Sequence, residues 1–235
     1  MVKRKTKQTS TAVVMMLFVI LITIVEGQAQ DSQTKYPTMA SLDQYLMSDR
    51  DAEIALARSA APKAISDDAK ILVLGRHGFE TAVEGKNGFV CVVERAWMSP
   101  SSSTEFWNPR LRGPICYNSP GVRSVLPILY KRTEMALAGQ SKAEIVNGTK
   151  AAFASNQLPA LEPGAMSYMM SKQAYLTDAG DHNMAHLMIY TPHMDAAAWG
   201  ADLPGSPVMF GASDPVNLFL IPIGKWSDGT PAPTE

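Results

Sequence analysis

The chain has 235 residues, with 21 Lys and Arg against 22 Asp and Glu and a formal net charge of −1. Beyond its first seven residues the chain has no basic run, and so lacks the electrostatic footprint of a nucleic-acid binder. Its length suits one domain able to bury a core without many disulfides or metals.

The N-terminus reads as an export signal. Lys3, Arg4, Lys5 and Lys7 form a basic head, Ala12–Val25 is an uncharged apolar run of 14 residues, and Gly27-Gln28-Ala29 is a small-residue exit. Head, apolar core and small-x-small exit are the three parts of a secretory signal. The run is shorter than the roughly 20 residues a spanning helix needs. Residues 1–29 are therefore expected to be a cleaved signal peptide, with no stable membrane span left behind and a secreted or periplasmic location. Removing Glu26 and the four basic residues leaves 17 basic against 21 acidic side chains.

Residues 30–40 are polar and read as a mobile leader, residues 41–226 as a single domain and residues 227–235 as a flexible tail. Ser41–Met47 has the composition of a short helix start. A firmer helix follows Ser48, where Asp49, Asp51 and Glu53 crowd the first turn, Arg58 lies near the end and Pro62 stops the run; such charges complement the helix dipole. Ala52, Ala55, Leu56 and Ser59 form its expected buried stripe.

Lys70–Leu74, Phe79–Val83 and Phe89–Arg95 read as strands of an antiparallel meander, with Glu84–Gly88 as a hairpin turn containing Asn87-Gly88. The third is apolar on both faces and so central. Cys91 and Cys116 are the two cysteines. An exported chain lives where disulfides persist; a bridge would close a loop of about 25 residues and contribute roughly 3 kcal/mol. The alternative is two separate buried thiols.

Met98–Ser119 is the longest stretch without periodicity. Long structureless loops in compact domains often bind ligands, and Trp107, Arg110, Arg112 and Tyr117 are the side chains a binding loop would use. Val122, Leu126, Leu129, Thr133, Ala136 and Leu137 have helical spacing, interrupted by Pro127. Gly139 ends that run, and Ser141-x-x-Glu144 is a capping box opening a helix to about Ser155. Strands are expected at Ala165–Ser171, His182–Tyr190, Pro207–Phe210 and Val216–Ile223. Helices in two blocks between runs of strands give an α+β fold, a mainly antiparallel sheet with two to four helices on one side.

His182–Tyr190 is the most unusual stretch. As a strand it puts His182, Met184, His186, Met188 and Tyr190 on one face, and Asn183, Ala185, Leu187 and Ile189 on the other. Six of the 14 Met residues fall between positions 166 and 194. Imidazole and thioether together suit copper, and an i,i+4 helical pairing of His182 with His186 would suit zinc. In a strand those two imidazoles lie roughly 13 Å apart along the chain, so Met184, Met188 or His193 would have to complete a site. The opposing reading is a Met-filled core. No nucleophile-elbow motif occurs, and nothing selects His77 or His186 as a general base. The sequence thus points to an exported binding or structural module for an unknown small molecule or protein, with a copper- or zinc-binding protein as the alternative.

Overall fold

The structure, a computed structural model, describes residues 35–180, 184–212 and 214–233. The signal assigned to residues 1–29 lies outside them, as does His182. Eight strands are formed among the described residues: β1 (Lys70–Gly75), β2 (Gly78–Val83), β3 (Val90–Glu94), β4 (Gly113–Tyr117), β5 (Met166–Met169), β6 (His186–Thr191), β7 (Met209–Ala212) and β8 (Asn217–Pro222). They make one sheet in the order β2-β1-β3-β4-β5-β6-β8-β7. Every pairing is antiparallel except β1 with β3.

That parallel pair corrects the expected meander. β2 exposes Glu80 and Thr81 and suits an edge. β3 is buried on both faces at Cys91, Val92 and Val93, and so takes a place inside the sheet, beyond β1 rather than beside β2. A second correction concerns Met98–Ser119. Its last third is β4, buried throughout and therefore without alternation. Cys116 lies directly opposite Cys91 in the β3–β4 register, and the two form a disulfide.

Five α-helices accompany this sheet among the described residues: α1 (Arg50–Arg58), α2 (Lys63–Ser66), α3 (Ser119–Ser124), α4 (Leu126–Leu137) and α5 (Lys142–Ala154). The fold is α+β, as expected. The helices are divided between both faces rather than gathered on one. Leu56 and Ala57 of α1 pack with Ile71, Cys91, Val93 and Cys116 on the first face. Val125, Leu126 and Leu129 pack with Leu72, Val92, Ile115 and Tyr117 on the second. Alternate residues of each strand therefore feed two separate cores.

The helix ends show why these segments fold as they do. Asp49 caps α1, its carboxylate accepting from Ala52 N at 3.0 Å, one residue beyond the expected Ser48. Its buried residues are Glu53, Leu56 and Ala57, while Ala52 and Ala55 are exposed. Pro127 sits in the first turn of α4, where its missing N–H costs nothing. Ser141 and Glu144 make the reciprocal capping box of α5. Replacing Ser141 by Ala should cost about 1 kcal/mol of stability, read as a lower urea midpoint with an unchanged slope. Gly148 in α5 is where the Met135 methyl of α4 rests; a Cβ there would lie 2.3 Å from that methyl carbon.

The chain on either side of the domain is also engaged. Tyr36, Met39 and Ala40 pack against the cluster containing Trp97 and Trp107, so the described part of the leader is held. The Asp178 carboxylate accepts from Lys35, Tyr36 and Tyr175. Trp226 is buried against Met170 and Ala185, with Ala232 packed beside it, which holds the described part of the segment expected as a tail.

Candidate functional site

The second sheet face carries a polar cluster inside an otherwise apolar core. Glu94 ends β3, Tyr117 ends β4, and Tyr190 comes from β6. Arg132 enters from the middle of α4, between Leu129 and Ala136 on the helix stripe that faces the sheet. These four side chains line one cavity of about 100 Å³, together with apolar residues that include Met98, Ile128, Met188 and Leu218. A space of this size holds several waters or one compact organic molecule.

Each polar group is held by its neighbours. The Tyr117 hydroxyl donates to Glu94 Oε1. Tyr190 Oη lies 3.0 Å from Ser167 Oγ, and the Tyr117 and Tyr190 rings are 6.3 Å apart. Arg132 Nη1 donates to the carbonyl oxygens of Trp97, Met98 and Ser99 at 3.1–3.3 Å, while its Nε is buried without a partner. A buried guanidinium N–H with no acceptor is a costly group. The guanidinium borders the cavity, although Nε itself has no accessible surface and is enclosed by protein.

Burial decides the electrostatics. Removal from water pushes the Glu94 carboxyl up to about 7, against the opposing Tyr117 hydrogen bond and the Arg132 charge. Glu94 keeps some accessible surface because it lines the cavity, yet its carboxyl group is surrounded by protein. Burial also raises both tyrosines, well above the ordinary phenol range for Tyr117, and lowers Arg132. On the rim, Asp214 accepts from Ser101 at 2.7 Å and pairs with Lys150 at 2.7 Å. Asp214 and Pro215 also border a shallower cleft lined by Lys150, Phe153 and His193.

The residues expected to form a binding loop are dispersed. Trp107 is only 3 % exposed and belongs to the core, filling the apolar space beside Met135, Ala136, Ile145 and Val146. Arg110 lies over the Tyr175 ring at 4.6 Å and donates to its hydroxyl. Arg112 donates to the carbonyls of Pro109 and Leu111, each at 2.8 Å, and so braces its own loop. Of the four, Tyr117 alone reaches the cavity.

The His/Met stretch is divided too. In β6 His186, Met188, Tyr190 and the last residue, Thr191, are buried, while Leu187 and Ile189 are half-buried. The face with the odd composition is therefore the better-buried one, because it packs under α3 and α4. His186 donates Nδ1–H to Met184 O at 2.8 Å, and burial lowers its imidazole pKa. His193 bonds Asn217 Oδ1 at 3.1 Å, away from His186. Among the described residues, no group of three or more His, Cys, Asp and Glu is placed to hold a metal ion.

Sequence reasoning missed Glu94 and Arg132. A signal for Arg132 was present: it stands three residues after Leu129 and four before Ala136, on the apolar stripe of a helix. A cation at such a position needs a partner or a cavity.

The site thus belongs to a disulfide-bridged α+β domain, in a charged cavity between sheet and helix. Comparison of the chain with known protein families, curated proteins and solved structures finds no match.

Proposed function

We propose that the protein is an exported binding module whose ligand seat is the cavity lined by Glu94, Tyr117, Arg132 and Tyr190. The observation that carries this reading is a small apolar-walled cavity that holds the Arg132 guanidinium beside a carboxyl near neutrality. Ligand sites commonly combine apolar walls with a few convergent polar groups of shifted pKa. The buried disulfide and the signal-like N-terminus support export. Among the described residues no helix is long and apolar enough to cross a membrane.

Methionine methyl groups provide the test. Met98 and Met188 line the cavity, whereas Met194 and Met209 are exposed elsewhere. Protein labelled with ¹³C-methyl Met is titrated with small carboxylates, amines, alcohols and phenols. A saturable shift confined to Met98 and Met188 is expected for at least one of these. Silence of both methyls across the panel, or uniform shifts at all methionines, would remove the cavity as the ligand seat.

A further inference from the structure

We infer that the cavity takes a short-chain monocarboxylate together with one proton, the anion lying against the Arg132 guanidinium and the proton residing on Glu94. This rests on the reading of the cavity as a ligand seat and adds the ligand's class and the coupling.

The argument starts from what Arg132 has left to offer. Nη1 is committed to three backbone carbonyls and Nε is enclosed by protein, so an anion in the cavity meets the guanidinium at Nη2. A charged N–H of this kind makes a short, strong hydrogen bond to a carboxylate oxygen. The rest of the wall is apolar at Met98, Val125, Ile128, Met188, Val216 and Leu218, which suits a hydrocarbon tail. A volume of about 100 Å³ keeps that tail short.

Charge determines the rest. The charged and titratable groups facing Glu94 are Tyr117 from β4, Tyr190 from β6, Arg132 from α4 and Asp214 from the segment between β7 and β8, with Asp214 paired to Lys150 of α5. Arg132 and Lys150 set against Asp214 leave one net positive charge when Glu94 is protonated and none when it is ionised. A monoanion is neutralised only in the first state. A doubly charged phosphate would remain uncompensated in either. Two carboxylates in one small, water-poor cavity disfavour joint ionisation, so one takes a proton. Protonated Glu94 keeps one oxygen toward the Tyr117 hydroxyl and can donate its own O–H to the incoming carboxylate. No covalent bond is made or broken; one anion and one proton enter together.

The experiment is calorimetric titration of the disulfide-bonded protein with acetate, propionate and butyrate between pH 5.5 and 8.5, in two buffers of different ionisation enthalpy. The expected affinity is nearly flat below pH 7 and falls about tenfold per unit above it, roughly 30-fold by pH 8.5, with close to one proton taken up at pH 8. Glu94→Gln should bind with no proton uptake and no fall in affinity to pH 8.5. Arg132→Lys should weaken binding in both buffers, since an ammonium cannot both hold the backbone carbonyls and present a second nitrogen to the cavity. Carboxylate binding without proton uptake overturns the coupling. Binding of another class of compound at Met98 and Met188, with carboxylates silent, overturns the ligand class and leaves the seat. Silence of every compound at those methyls overturns the inference and the seat together.

Discussion

Replacing Glu53 by Ala is expected to destabilise the protein by about 3–5 kcal/mol, the usual cost of leaving one member of a buried ion pair uncompensated. Glu53 is 2 % exposed and its partner Arg95 is fully buried. Glu53 Oε1 accepts from Arg95 Nη2 at 2.8 Å and from Leu74 N at 3.1 Å. One carboxylate therefore satisfies both the guanidinium and a strand amide of β1, and locks α1 to two strands. Arg95 spends its remaining donors on the carbonyls of Tyr45 and Val93. Without Glu53, the cation stays in the core with only neutral acceptors. Glu53→Gln should cost less, because an acceptor for Leu74 N remains. The pair Glu53→Ala with Arg95→Met should recover part of the loss, since it removes the stranded charge. Urea denaturation of the wild type, Glu53→Ala, Arg95→Met and the double variant closes the cycle. If the double variant is less stable than the sum of its singles predicts, the charge-pair account fails.

The same residue shows how far the sequence could be read. Asp49, Asp51 and Glu53 look alike on paper, three acids in a first helical turn. Two of them do stay at the surface. Glu53 turns inward because Arg95, 42 residues later, arrives at its side, and no local pattern encodes that meeting. Local signals fared best where the physics was local: the capping box at Ser141 and Glu144 appears where composition placed it, and the strand expected at Lys70–Leu74 forms and runs one residue further, to Gly75. β4 was hidden because burial on both faces erases alternation and Pro114 looks like a loop residue. Trp107 and Arg112 looked like ligand contacts because a proline-rich loop has no periodicity to show that its aromatics face inward. Tyr117 and Met188 were named for other reasons, and the cavity between them depends on the sheet register and on α4. The Arg132 position on the α4 stripe was the one legible clue to that cavity.

The second large effect belongs to Glu94 and concerns pH. Its carboxyl is raised from an ordinary 4.5 to about 7 by burial, so the folded protein holds a proton that the unfolded chain has already released. Stability from this group is complete below pH 4.5, declines as pH rises toward 7, and is lost above it. The shift corresponds to about 3 kcal/mol across that window. His186 acts in the opposite sense: burial lowers its imidazole, so its contribution is present above about 6.5 and lost as pH falls. The wild-type profile mixes the two. Subtracting the profile of Glu94→Gln isolates the carboxyl, because Gln still accepts from Tyr117 and cannot ionise. Urea denaturation at pH 5, 6, 7 and 8 should show the variant gaining on the wild type by about 3 kcal/mol from the lowest to the highest pH. Parallel profiles would mean that the Glu94 carboxyl is solvated and ionised like a surface acid. A cavity wall that stays charged at neutral pH would then have no proton to lend to a ligand, and Arg132 would be neutralised before any anion arrived. The stability profile thus tests, without any ligand, the electrostatic state on which binding depends.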